Sequence, residues 1–158
     1  MDPTLSMDIQ QTLNSDIAMI LDSLIDINKE YDEQLNAIQT TKNWALEARE
    51  HHSNSNQSLF GIVQGGKHKE LREKSAIDML SLDFNGYAIG GLAIGETQQE
   101  RKEIVDFTVE MLPQDKLRYV MGLGDIEGML DLIELGVDIF DCVWPARLAR
   151  HGLSLIHI

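Results

Sequence analysis

Five short apolar runs punctuate the chain, at residues 17–21 (IAMIL), 59–63 (LFGIV), 87–89 (YAI), 119–121 (YVM) and 139–143 (IFDCV). Each is apolar at successive positions rather than at every second one. That is the pattern of strands buried on both faces of a parallel sheet. Helical periodicity fills the intervals. Leu35, Ile38, Ala45 and Leu46 mark one face of a helix over residues 32–50, and Leu71, Ile77 and Leu80 mark the next. Thr97 and Glu100 form a capping box ahead of Ile104, Val105, Thr108 and Met111, and Pro113 ends that helix. Asp125 can cap a helix carrying Ile126, Met129, Leu130 and Ile133, with Gly136 as its stop. Alternating strands and helices predict right-handed β-α-β units and an α/β fold.

The turn residues after the strands, Asp22, Gln64, Gly90, Gly122 and Asp141, are spaced 42, 26, 32 and 19 residues apart. A (β/α)8 barrel allots about 31 residues to each unit. The period therefore fits a barrel, but the length holds five units of eight. A five-stranded doubly wound sheet and part of a barrel both satisfy this arithmetic. There are no internal repeats, and residues 51–58 (HHSNSNQS) read as a polar loop rather than a linker.

Composition narrows the class. The 158 residues are 43% hydrophobic and 25% charged, which suits one globular domain and rules out a disordered or disulfide-built chain. No run is long enough for a membrane helix, and no basic segment precedes an apolar one as in a secretory signal. Cys142 is the single cysteine. It permits no internal disulfide, supplies no multi-cysteine zinc site and fits a reducing, cytoplasmic compartment. The net charge of −13 argues against a nucleic-acid partner. The motifs below point the other way.

In parallel α/β folds the chemistry gathers at the carboxyl ends of the strands. Asp141 sits inside an apolar run, where an isolated carboxylate is costly unless it is paired or faces a cleft. It reads equally as a turn-capping carboxylate or as a nucleophile or general base. Cys142 beside it reads as a packing residue. Gln64 precedes two glycines, and its amide can both donate to and accept from a heterocyclic base edge; an incidental glutamine in a glycine turn is the plainer reading. Residues 90–96 (GGLAIGE) let a ligand lie against the backbone. They carry no Lys or Arg, so a neutral or cationic ligand fits better than a phosphate. Asp22 taken alone reads as a turn former. Residues 145–152 (PARLARHG) bring two arginines and a histidine that could hold a phosphodiester, or form a solvated loop.

These residues carry a resemblance. FGIVQGG (60–66), DFNGYAIGGLAIGE (83–96), RYVMGLG (118–124) and GVDIFDCVWPARLARHG (136–152) are similar to the tRNA-guanine transglycosylases, the queuine/preQ1 tRNA-ribosyltransferases, with SDIAMILD (15–22) a looser match. The resemblance implies a partial (β/α)8 TIM barrel over residues 1–152, about strands four to eight, without the family's zinc-binding region. Structural zinc in the family is held by a cysteine and histidine cluster outside this chain, as is a second catalytic aspartate, so this chain is expected to bind no cofactor and to be inactive alone. Residues 153–158 (LSLIHI) read as translated sequencing adapter and are expected to be a non-native tail.

Carried over by position, Asp141 matches the nucleophile that displaces guanine and bonds the ribose. Asp22, Gln64 and Gly91 match base-recognising positions, and Gly90, Leu92 and Met121 line the pocket. Gly122, Leu123, Gly124, Asp125, Ile126, Glu127 and Gly128 match one tRNA-contacting segment. Ala146, Arg147, Leu148, Ala149 and Arg150 match another. The implied activity is exchange of the wobble guanine in the tRNA anticodon loop for a 7-deazaguanine base during queuosine formation. Ile94 resembles the preQ1-using type more than the queuine-using type. The implied partners are tRNA, the base and, in the full-length protein, a second copy. Two alternatives stand beside this: a non-catalytic paralogue in a heterodimer, against which Asp141 argues, and an unrelated metabolic βα-barrel enzyme, which would want basic phosphate ligands at residues 90–95.

Overall fold

Strand order is what separates the two α/β architectures. The computed structural model describes residues 1–92 and 94–152. Its elements in chain order are α1 (Pro3–Leu13), β1 (Ile17–Met19), α2 (Tyr31–His51), β2 (Ser58–Val63), α3 (Lys69–Leu80), β3 (Gly86–Ile89), α4 (Gln98–Met111), β4 (Leu117–Val120), α5 (Ile126–Glu134), β5 (Ile139–Phe140) and α6 (Trp144–Arg150). The five strands pair in parallel in the order β1-β2-β3-β4-β5. A doubly wound sheet reverses its strand order at a switch point. Here the order never reverses, and the sheet curls as about half of a (β/α)8 barrel.

β2 and β3 are buried along almost their whole length, as runs apolar at successive positions require. Their residues Leu59, Ile62, Val63, Tyr87 and Ile89 form the centre of the core. The Thr97–Glu100 capping box is present in full: Thr97 Oγ1 accepts from the Glu100 N–H, and the Glu100 carboxylate accepts from the Thr97 N–H at 2.8 Å. Asp125 caps α5 by accepting from the Gly128 N–H at 2.7 Å.

Three helix faces depart from the apolar pattern. α2 buries Gln34, Ala37, Ile38, Thr41, Ala45 and Ala48, and turns Leu46 outward. α3 buries Leu71, Arg72, Ser75, Ala76 and Met79, while Ile77 is exposed. α5 buries Gly128 and Leu132, and exposes Ile126, Leu130 and Ile133. On α2 and α3 the inward face also serves the strand-end turns: Thr41 Oγ1 accepts the Ser23 N–H at 2.9 Å and Ser75 Oγ accepts the Gln64 N–H at 3.0 Å.

Two helices lie where the apolar pattern is silent. α1 begins at Asp2, whose carboxylate accepts from the Leu5 N–H at 2.9 Å, with a proline in its first turn. α6 takes up the segment that reads as a solvated loop, and Pro145 in its first turn suits a helix start. The suspected tail, 153–158, lies outside the described residues.

Candidate active site

All five strands point the same way, so the residues that follow them share one rim of the half barrel. Neighbouring turns along that rim are tied by side chains. The Gln64 amide donates to Asp22 Oδ2, joining the turns after β2 and β1. Burial pushes the Asp22 carboxyl above the usual carboxylate range, against the lowering effect of the Gln64 bond. Gln64 itself is buried, and its backbone N–H donates to Ser75 Oγ at 3.0 Å.

The β3 turn closes tightly on this pair. Gly91 has φ of +71°, and a Cβ there would stand 2.6 Å from Gln64 Oε1, so only glycine fits both the backbone and the space. Gly90 and Leu92 are buried beside it. Glu96, further along the turn, receives the Ile94 N–H at 3.1 Å and the Arg101 Nε–H at 3.0 Å. Arg101 also reaches Asp125 at 3.4 Å, which links the β3 turn to the β4 turn.

Asp141 lies one residue beyond β5, because pairing with β4 stops at Phe140. Asp141 meets the condition that an apolar run sets for a carboxylate, since it is paired rather than isolated. Asp141 is exposed, and its Oδ1 accepts from the Tyr119 hydroxyl and from the Gly122 N–H, both at 2.6 Å. Oδ2 accepts no hydrogen bond among the described residues. Burial, and then the Asp141 carboxylate, push the Tyr119 hydroxyl well above its ordinary range, so it stays a protonated donor at neutral pH. Tyr119 lies within the RYVMGLG block, but nothing in that block assigns it a role of its own. It reads as an ordinary strand residue, and only the pairing of β4 with β5 brings it to Asp141.

The remaining candidates fall into two groups. Met121 is partly buried against the core beside the β4 turn. Gly122, Leu123, Gly124 and Asp125 line a cleft of about 360 Å3 together with Glu96, Arg101, Trp144 and Arg147. Ile126 and Glu127 open α5 on its exposed side, and Gly128 is buried under the Asp125 cap. Ala146, Arg147, Ala149 and Arg150 are exposed on α6, with Leu148 partly covered. The structure thus gathers Asp22, Gln64, Gly90 and Gly91 into one group, and Asp141, Gly122 and Tyr119 into another, with no hydrogen bond between the two among the described residues. Arg72, which the apolar pattern passes over, is fully buried beneath the first group.

Among the described residues no group of three or more His, Cys, Asp or Glu is arranged to hold a metal ion. No helix among them is long and apolar enough to cross a membrane.

Comparison with known proteins follows the same lines. The family model for queuine tRNA-ribosyltransferase matches residues 1–157. The queuine tRNA-ribosyltransferase of Thermotoga petrophila is 46% identical over 155 residues, covering 98% of this chain and 42% of the relative. That of Bacillus velezensis is 46% identical over 151 residues, 95% of this chain and 40% of the relative. That of Acinetobacter baylyi is 42% identical, again over 95% of this chain and 40% of the relative. The chain therefore spans about two fifths of the length of these curated relatives.

Proposed function

The chain belongs to the queuine tRNA-ribosyltransferase family, and on that premise we propose that it supplies the nucleophile and part of the base-reading surface for exchange of the wobble guanine of tRNA with a 7-deazaguanine base, preQ1. The observation that supports this reading most is the state of Asp141. It is an exposed carboxylate at a strand end, oriented through Oδ1 by the Tyr119 hydroxyl and the Gly122 N–H, with Oδ2 unbonded among the described residues.

In this reading Oδ2 attacks C1′ of the ribose. The C1′–N bond to guanine breaks with its electron pair on the departing base. The departing guanine nitrogen takes up a proton, and the incoming base gives up its N–H proton as its nitrogen displaces the carboxylate from C1′, so no net proton is consumed. Two displacements at one carbon divide a hard step and retain its configuration. Two donors on Oδ1 hold the group without consuming the attacking oxygen. The target nucleotide must leave the anticodon stack to reach the rim. Arg147 and Arg150 on α6 give the otherwise acidic chain a local place for phosphodiester oxygens.

Asp22 and Gln64 read the base by exchanging their mutual hydrogen bond for bonds to its edge. Asp22→Ala and Gln64→Ala in the full-length protein are each expected to weaken base exchange by about 1–3 kcal/mol, since each leaves a partner unpaired. The double variant should cost less than the sum, because both serve one ligand. Steady-state guanine exchange measures this, and parent-like kinetics for both variants would remove them from the site.

The 158-residue polypeptide expressed alone is expected to be aggregated or molten and to carry no exchange activity. Within the described residues β1 and β5 each pair on one side only. Open apolar edges recruit other chains, and five strands do not satisfy the tilt and stagger of an eight-stranded closure. Size-exclusion chromatography with thermal unfolding is the check; a monomer with one sharp transition would show that the five units fold independently.

A further inference from the structure

Arg72 is 1% exposed, yet nothing about core packing asks for an arginine there. The neighbouring inward residues of α3, Leu71, Ala76 and Met79, are apolar or small. Its Nε–H donates to the Gly66 carbonyl at 2.8 Å, in the turn after β2. Its Nη2–H donates to the Gly90 carbonyl at 3.1 Å, in the turn after β3. Nη1 has no partner among the described residues. Burial lowers the guanidinium from its usual range to about 10, partly opposed by the charge of Glu96. A buried cation with an unpaired donor is a poor source of stability, and here its bonded donors go to two turns rather than to the core. Ser75, one helical turn further on, accepts the Gln64 N–H at 3.0 Å and is itself buried.

We propose that Arg72 and Ser75 are positioning residues for base recognition: from one face of α3 they hold the Gln64 turn and the Gly90 turn in the register that reads the base. This rests on the base-exchange reading above. The guanidinium, the Gln64 amide and the Gly91 backbone form one packed unit. The position a Cβ would take on Gly91 is 2.6 Å from Gln64 Oε1 and 3.7 Å from Arg72 Nη2. A shift in either turn therefore moves the amide against the backbone it works beside. Lysine keeps the charge but lacks the fork that reaches two carbonyls at once.

The test uses the full-length protein carrying this segment, with guanine as the probe. Guanine affinity is read by isothermal titration calorimetry, tRNA affinity by filter binding at fixed salt, and folding by thermal melt. For Arg72→Lys the guanine Kd is expected to rise about tenfold or more, as loss of a supporting contact does elsewhere. The tRNA Kd should stay within about twofold, and kcat at saturating guanine should change far less than KM for guanine. For Ser75→Ala the guanine Kd should rise about fivefold, the loss of one ordinary hydrogen bond. If Arg72→Lys fails to fold, Ser75→Ala decides on the same terms. Parent-like guanine binding in the folded variants would overturn the proposal, as would a parallel loss of guanine and tRNA affinity. A parent protein that binds no guanine would sink the base-exchange reading and this proposal together; parent binding with unaffected variants would sink this proposal alone.

Discussion

Asp141→Asn, introduced into the full-length protein, is expected to abolish the covalent link to tRNA and to lower exchange by at least about 1000-fold, the scale seen when a nucleophile is removed. The amide matches the carboxylate in volume, and position 141 is exposed, so the fold should not register the change. An asparagine side-chain oxygen can still accept from the Tyr119 hydroxyl and the Gly122 N–H, the two bonds that orient Asp141. What disappears is the second anionic oxygen. Denaturing electrophoresis with labelled tRNA distinguishes the outcomes: a retained adduct would mean that some other group attacks the ribose.

Gly124→Ala should be nearly as damaging without touching a reacting atom. A Cβ at this position would fall on Cys142 Cβ and Sγ. The first of these is anchored to the backbone, so the clash is relieved only by moving the chain next to Asp141. A displacement of about 1 Å at a reacting group costs on the order of 100-fold in rate. The expected result is a fall in kcat of that size with a stability loss of about 1–3 kcal/mol from overpacking. The double variant Gly124→Ala with Cys142→Gly should recover much of the rate, whereas Cys142→Ala as partner should not, because it keeps the offending Cβ. Single-turnover exchange kinetics resolve the three variants. Equal rates for Gly124→Ala and the parent would show that this contact does not hold Asp141 in place.

Local patterns in this chain report what local forces decide. The five apolar runs locate the strands to within a few residues, and the Thr97–Glu100 box and the Asp125 cap appear as their residue types require. The runs also place Asp22, Gln64, Gly90, Gly122 and Asp141 at one end of the strands, since every crossover returns the chain in the same direction. Hydrophobicity alone placed Ile38, Ala45 and Leu71 correctly inward but missed part of the faces of α2, α3 and α5. Leu46, Ile77, Ile126, Leu130 and Ile133 look outward, while Arg72 and Ser75 look in. A periodicity ranks faces by apolarity and does not register the polar groups that strand-end turns leave to satisfy, which Arg72 and Ser75 meet from α3.

By itself, then, the sequence determined the alternating βα order, the rim on which the candidate residues lie and the family that those residues resemble. Tertiary structure decided the rest. Period and length allowed a doubly wound sheet as well as a barrel, because strand order depends on pairing between segments tens of residues apart; the unbroken order β1 to β5 chose the barrel. Likewise Asp141 within IFDCV reads equally as a turn-capping carboxylate or as a nucleophile or general base. The short register of β5 on β4 releases it at Phe140 and sets it in the open between Tyr119 and Gly122. Its exposure and its partners come from a neighbouring strand, and no arrangement of residues next to it in the chain encodes them.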